Sequence, residues 1–89
     1  MAIDLKKDSE TLKALGHPVR LKIVIGLLEC GRCNVNKIVA KLNIPQSTVS
    51  QHLTKLRHAH ILVPEKDGVK AHYFIQDKRI KGLIAALKG

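Results

Sequence analysis

Cys30 and Cys33 are two residues apart, a Cys-x-x-Cys spacing that can close a disulfide or offer two soft ligands to zinc or arsenite. Redox work needs a thiolate, and Arg32 with the start of a following helix can favour the anionic form of Cys33. The same thiols also suit the end of an apolar helix as small buried hydrophobes. A pair so close together cannot staple a fold, and a reducing compartment keeps it as thiols. Structural zinc wants four ligands, and the chain has neither a second cysteine pair nor a His-x₃-His run. The histidines, His17, His52, His58, His60 and His72, fall into no metal-ligand spacing. A dithiol oxidoreductase places its cysteines in a βαβ context that this order of elements lacks. Phosphate-cradling glycine loops, paired catalytic carboxylates and a Ser-His-Asp order are also missing, so the expectation is no enzyme and no cofactor.

A second group of residues points to recognition. The run from Gln46 to about Ala59 places Val49, Leu53 and Leu56 on one helical face. Ser47, Gln51, Thr54 and His58 lie opposite, flanked by Thr48, Ser50 and Lys55. Uncharged donors and acceptors on a helix suit base edges, Gln matching adenine and Ser or Thr several bases. Gln46, Ser47, Ser50 and Gln51 are the candidate readers, with Thr48 and Thr54 beside them. Lysines go mainly to phosphates, for which Lys37, Lys55, Lys66 and Lys70 are the candidates. The bland alternative is an ordinary solvated helix face. Its weakness is the charge: 16 Lys and Arg against 7 acidic residues give +9, which calls for a polyanionic partner.

The elements that must position these residues follow from periodicity and punctuation. The 89 residues are 45% hydrophobic but only 2% aromatic, so the expected core is Leu, Ile, Val and Ala between packed helices, within one domain over 1–89. A helix over 8–15 stops at Gly16, and Pro18 opens another that runs to about Glu29. Its stripe is Leu21, Val24, Ile25 and Leu28, widened by Ile23 and Leu27, and Gly31 ends it. Asn34 caps a third helix carrying Val35, Ile38, Val39 and Leu42, which stops at Asn43-Ile44-Pro45. Together with the Gln46 helix it makes a helix-turn-helix over 35–57. Two β-leaning runs within 61–75 meet at Asp67-Gly68, a hairpin signal, and carry Lys66, Lys70 and His72. A last helix over 77–88 aligns Ile80, Leu83, Ile84 and Leu87 with nothing obvious to cover them. That stripe, with Leu12 and Leu15 of the first helix, reads as a dimer surface. The fold class expected is mainly α with a small β-hairpin, in winged helix-turn-helix order α-α-α-α-β-β-α, as a homodimer. No apolar run approaches the ~18 residues of a membrane span, and the polar start is unlike a signal peptide, so a cytoplasmic protein is expected.

Leu15-Gly-His-Pro-Val-Arg-Leu21, Val35-Asn-Lys-Ile-Val-Ala-Lys-Leu42 and Gln46-Ser-Thr-Val-Ser-Gln-His-Leu-Thr-Lys-Leu-Arg57 together resemble the ArsR/SmtB family of repressors. The likeness spans roughly 9–87, and its most specific part is Gln46 to Arg57. It implies a repressor that binds a palindromic operator on double-stranded DNA as a homodimer and is released by an inducer, commonly an oxidant or a soft metal. Arsenic-sensing members carry Cys-x-Cys where Asn34 and Asn36 stand here, and other members use acidic and His ligands on the last helix, where this chain has only Asp77. Pro45 also departs from the polar cap usual before the recognition helix. The functional expectation is release by oxidation of Cys30 and Cys33. A metal-responsive repressor using that pair, or an inducer-independent architectural DNA-binding protein, stands as the alternative.

Overall fold

The computed structural model describes residues 2–68 and 70–89, with Asp67 and Lys70 described in backbone alone. Among the described residues the order is α1 (Leu5–Leu15), α2 (Pro18–Cys30), β1 (Cys33–Asn34), α3 (Val35–Leu42), α4 (Gln46–His58), β2 (Leu62–Asp67), β3 (Lys70–Ile75) and α5 (Arg79–Lys88). The chain is mostly helical, with a small antiparallel sheet.

Helix starts follow side-chain capping. Asp4 Oδ1 accepts the Lys7 N–H at 3.1 Å and Asp8 Oδ2 accepts the Asp4 N–H at 3.0 Å, a reciprocal pair that starts α1 earlier than residue 8. His17, extended, accepts the Val19 N–H on Nδ1 at 3.1 Å, and Pro18 takes the first helical position, where its missing N–H leaves nothing unsatisfied. Asn34 Oδ1 accepts the Lys37 N–H at 2.8 Å and so opens α3. The start of α5 falls two residues after Asp77, whose Oδ1 accepts the Arg79 N–H at 3.0 Å.

The core is aliphatic. Ile23, Val24 and Leu27 of α2 meet Val49, Leu53 and Leu56 of α4, together with Ile61, Leu62, Ile80 and Ile84. The face that α2 buries most deeply centres on Ile23, Val24 and Leu27, with Leu21, Ile25 and Leu28 only partly covered. Because α2 is apolar nearly all round, its periodicity names no single inward face.

The sheet corrects the expectation of a bare hairpin. β3 lies in the middle, in the order β1-β3-β2, with Cys33 opposite Tyr73 and Asn34 opposite His72 on one side. On the other side Leu62 faces Ile75 and Asp67 faces Lys70. Gly68, at φ 66°, supplies the positive backbone angle that the tight connection needs.

The apolar stripe assigned to a dimer surface also needs correction. Leu15, Ile80 and Ile84 are buried in the chain's own core, because α5 packs back on the body of the fold. Leu12 (58% exposed), Leu83 (39%) and Leu87 (74%) remain open, joined by Ile3 and Leu5. Ile3, Leu12 and Leu83 border a common surface hollow, so the α1 and α5 residues form one patch. Arg79 ties the two elements together, its guanidinium reaching Asp8 Oδ1 and Asp77 Oδ2, each at 2.9 Å. Its hydrogen bonds hold both carboxyls below their ordinary range.

Candidate nucleic-acid interface

Two short helices and a turn set the site. Asn43 ends α3 in the left-handed conformation (φ 55°), and its N–H donates to the Val39 carbonyl at 2.8 Å. Pro45 then starts α4 without a side-chain cap, and its carbonyl accepts the Val49 N–H at 3.1 Å. Proline's fixed φ makes the helix start rigid, although the side-chain acceptor usual at that position is absent.

With Val49, Leu53 and Leu56 fully inward, the opposite side of α4 is forced out to solvent. Gln46, Ser47, Ser50, Gln51, Thr54 and Lys55 are exposed, and Thr48 is half-buried. The candidate readers therefore share one open face. Thr54 is partly committed: its hydroxyl donates to the Ser50 carbonyl at 3.0 Å, leaving its lone pairs to accept. Lys37 is exposed on the first turn of α3, and Lys66 is exposed on β2. The Lys70 side chain, expected on the wing, lies outside the described residues.

His52 faces away from the reading side. Its ring lies 4.6 Å from that of His17, and its Nδ1 is 3.3 Å from the Arg20 guanidinium. Arg20 in turn donates from Nε to the Ala14 carbonyl at 2.6 Å. Burial first, then the nearby charges of His17, Arg20 and Lys55, hold His52 below the usual imidazole range of about 6.5. The neutral ring can accept from Arg20, and a protonated one cannot. This cluster locks α4 to the start of α2. The Gly-His-Pro-Val-Arg run signals a helix start, but its partnership with His52 needs the tertiary fold.

The cysteine pair sits beside this apparatus. Cys30, the last residue of α2, and Cys33, the first of β1, have their sulfurs within bonding reach, with Cα atoms 6.4 Å apart. Cys30 is exposed, whereas Cys33 is 6% exposed and belongs to the core. Cys33 pairs with Tyr73 of β3 and immediately precedes the cap of α3, so the pair joins the end of α2 to the sheet and to the start of α3. Arg32 does not face it as expected: its guanidinium binds Glu65 at 3.0 Å and lies over the Phe74 ring at 5.7 Å. The carboxylate across the sheet supplies a better partner than a buried sulfur.

No helix among the described residues is long and apolar enough to cross a membrane. Residues 17–62 match the family described as bacterial regulatory protein, arsR family. The transcriptional repressor PagR of Bacillus anthracis is 41% identical over 85 residues, covering 96% of this chain and 85% of PagR. Its crystal structure superposes with a TM-score of 0.87 at 42% identity, covering 93% of this chain and 94% of that one. An HTH-type transcriptional regulator of Methanocaldococcus jannaschii is 42% identical over 79 residues, 89% of each protein. A homodimeric winged helix-turn-helix DNA-binding domain of Mycobacterium bovis shares the fold at a TM-score of 0.85 and 24% identity, over 94% of this chain and 77% of that one. With its buried α4 seam, its wing and these likenesses in both sequence and fold, the chain belongs to the ArsR/SmtB family of DNA-binding transcriptional repressors.

Proposed function

We propose that two copies of the chain bind a palindromic operator, reading bases with α4 and positioning the protein on phosphates with Lys37, Lys55, Lys66 and Lys70. The observation that carries the reading is the exposed row of Gln46, Ser47, Ser50 and Gln51 on a helix whose other side is locked in the core. A helix held so firmly presents its polar groups in a fixed register, which direct readout of the major groove requires. The apolar patch of Ile3, Leu12 and Leu83 supports dimerisation, which places two such helices on successive half-sites.

Oxidation of Cys30 and Cys33 is the release signal in this reading. With peroxide as oxidant, both thiols lose a proton and the pair loses two electrons; the peroxide O–O bond breaks and two waters form. The position of Cys33 supports a structural consequence, since closing the bond fixes the end of α2 relative to β1 and thereby the start of α3. A metal reading of the same pair finds less support: among the described residues, no three His, Cys, Asp or Glu side chains are grouped to hold an ion.

The test is binding to DNA from the region upstream of the protein's own gene, by fluorescence anisotropy at fixed salt. Reduced protein, oxidised protein and Cys33→Ser are compared. Oxidised wild type is expected to lose at least about tenfold in affinity, equivalent to ~1.4 kcal/mol, and the variant to be indifferent to oxidant. Equal binding by all three removes the redox switch while leaving the DNA-reading role intact.

A further inference from the structure

Between α2 and α3 lies a groove of about 440 Å³ that DNA reading through α4 does not use. Its floor is formed by the edges of the buried Ile23, Leu27 and Ile38, and half-buried Leu42 and Gly26, with Ala40 and the Cys30–Cys33 pair, complete the lining. Gly26 sits mid-helix in α2, where glycine costs ~1 kcal/mol relative to alanine. Close packing does not explain it, for a Cβ placed there meets nothing within 4 Å. The missing side chain leaves the groove open. Lys22, Lys37 and Lys41 also line it, and Lys41 is paired with Glu29 at 3.8 Å. An apolar slot edged by ammonium groups suits a ligand with a hydrocarbon body and one anionic head. A sugar phosphate would set polar surface against the aliphatic lining, and an uncharged hydrocarbon would leave the lysines unused.

We propose that this groove binds an amphipathic carboxylate with a medium-length aliphatic chain, and that its occupation weakens DNA binding. The coupling runs through Lys37, which lines the groove from the first turn of α3: an ammonium engaged by a carboxylate is withdrawn from phosphate. Chain insertion also presses on the contact that sets α3 against α2. The coupling rests on the DNA-reading role proposed for α3 and α4; the ligand site does not.

Decanoate, kept below its micelle-forming concentration, is the probe, titrated into ¹⁵N-labelled full-length protein while amide shifts are followed. Saturable shifts are expected at Gly26, Ile38 and their neighbours. Decanol, and decanoate with a Lys22→Gln/Lys41→Gln variant, should bind at least about tenfold more weakly. Gly26→Leu, which fills the groove, should show no binding, and the lysine variant decides the matter if that leucine disturbs folding. Absence of saturable shifts at these amides, or equal affinity for decanol, overturns the site. In a second arm, saturating decanoate should raise the Kd for upstream DNA at least about fivefold in wild type but not in Gly26→Leu. An unchanged wild-type Kd overturns the coupling. Protein that binds no DNA even without decanoate refutes the DNA-reading role, and the coupling with it, while the amide shifts still decide the ligand site.

Discussion

Gln51 is exposed on α4 and makes no side-chain hydrogen bond among the described residues, so both its donor and its acceptor are available to a base. Gln51→Ala should cost ~1–3 kcal/mol of discrimination at one base pair. Affinity for each half-site then falls about five- to 150-fold, while binding to unrelated DNA and the melting temperature stay at wild-type values. Competition anisotropy with operator and scrambled duplexes checks this; equal weakening on both would assign Gln51 to backbone positioning. His52, one residue on, carries a stability effect. Its pKa lies below the ordinary 6.5, so as pH falls through that value the unfolded chain takes up a proton before the folded one does. Stability is therefore fully present above about 6.5 and declines from there down to the folded pKa. Urea midpoints between about pH 5 and 8 should fall on acidification in wild type, and His52→Gln should flatten the lower part of that curve. Parallel curves would remove His52 from the pH dependence. The polar face of α4 was legible from spacing because one helix carried both faces. The contact of His52 with His17 and Arg20 was not, because it joins residues from separate helices.

Local chemistry decides the elements wherever it acts over a few residues. Asn34 and Pro45 mark the starts of α3 and α4 in the sequence, because a cap and a fixed φ each act within one turn. β1 left no such signal: its two residues become a strand only through Tyr73 and His72, far along the chain. Arg32 likewise finds Glu65 only once the sheet forms. The division of the α5 stripe into buried Ile80 and Ile84 and exposed Leu83 and Leu87 also depends on packing, since periodicity gives a face but not what covers it. The short α3 is the element most exposed to the loss of its cap, because eight residues are too few to be helical alone. Asn34→Ala removes the acceptor for the Lys37 N–H and should lower stability by ~1 kcal/mol. It should also weaken DNA binding, since α3 sets the angle of α4. Urea denaturation checks the first part; an unchanged midpoint would mean that the N–H finds another acceptor without loss.

At the scale of the whole molecule, charge and apolar surface divide the labour. A net charge of +9 on 89 residues repels a second copy, so dimerisation needs a surface whose burial outweighs that repulsion. Leu12 and Leu83 border one hollow, with Leu5 and Leu87 also open on the same two helices. Burying apolar area returns about 25 cal/mol per Å², and salt screens the opposing charge within a Debye length of ~8–10 Å. The dimer should thus tighten with added salt while operator binding weakens, because each phosphate contact releases a counterion. Leu12→Asp/Leu83→Asp puts unpaired carboxylates into the patch, where burial against a second copy is costly, without touching the core, and should leave each chain folded but monomeric by sedimentation equilibrium. Loss of the second half-site then removes the avidity of linked binding, about 10²–10⁴ in affinity. The same variant should bind a single half-site with wild-type strength, since its α4 is untouched. A variant that sediments as a dimer would place the interface elsewhere; one that is monomeric yet binds the full operator as wild type does would show that a single chain suffices.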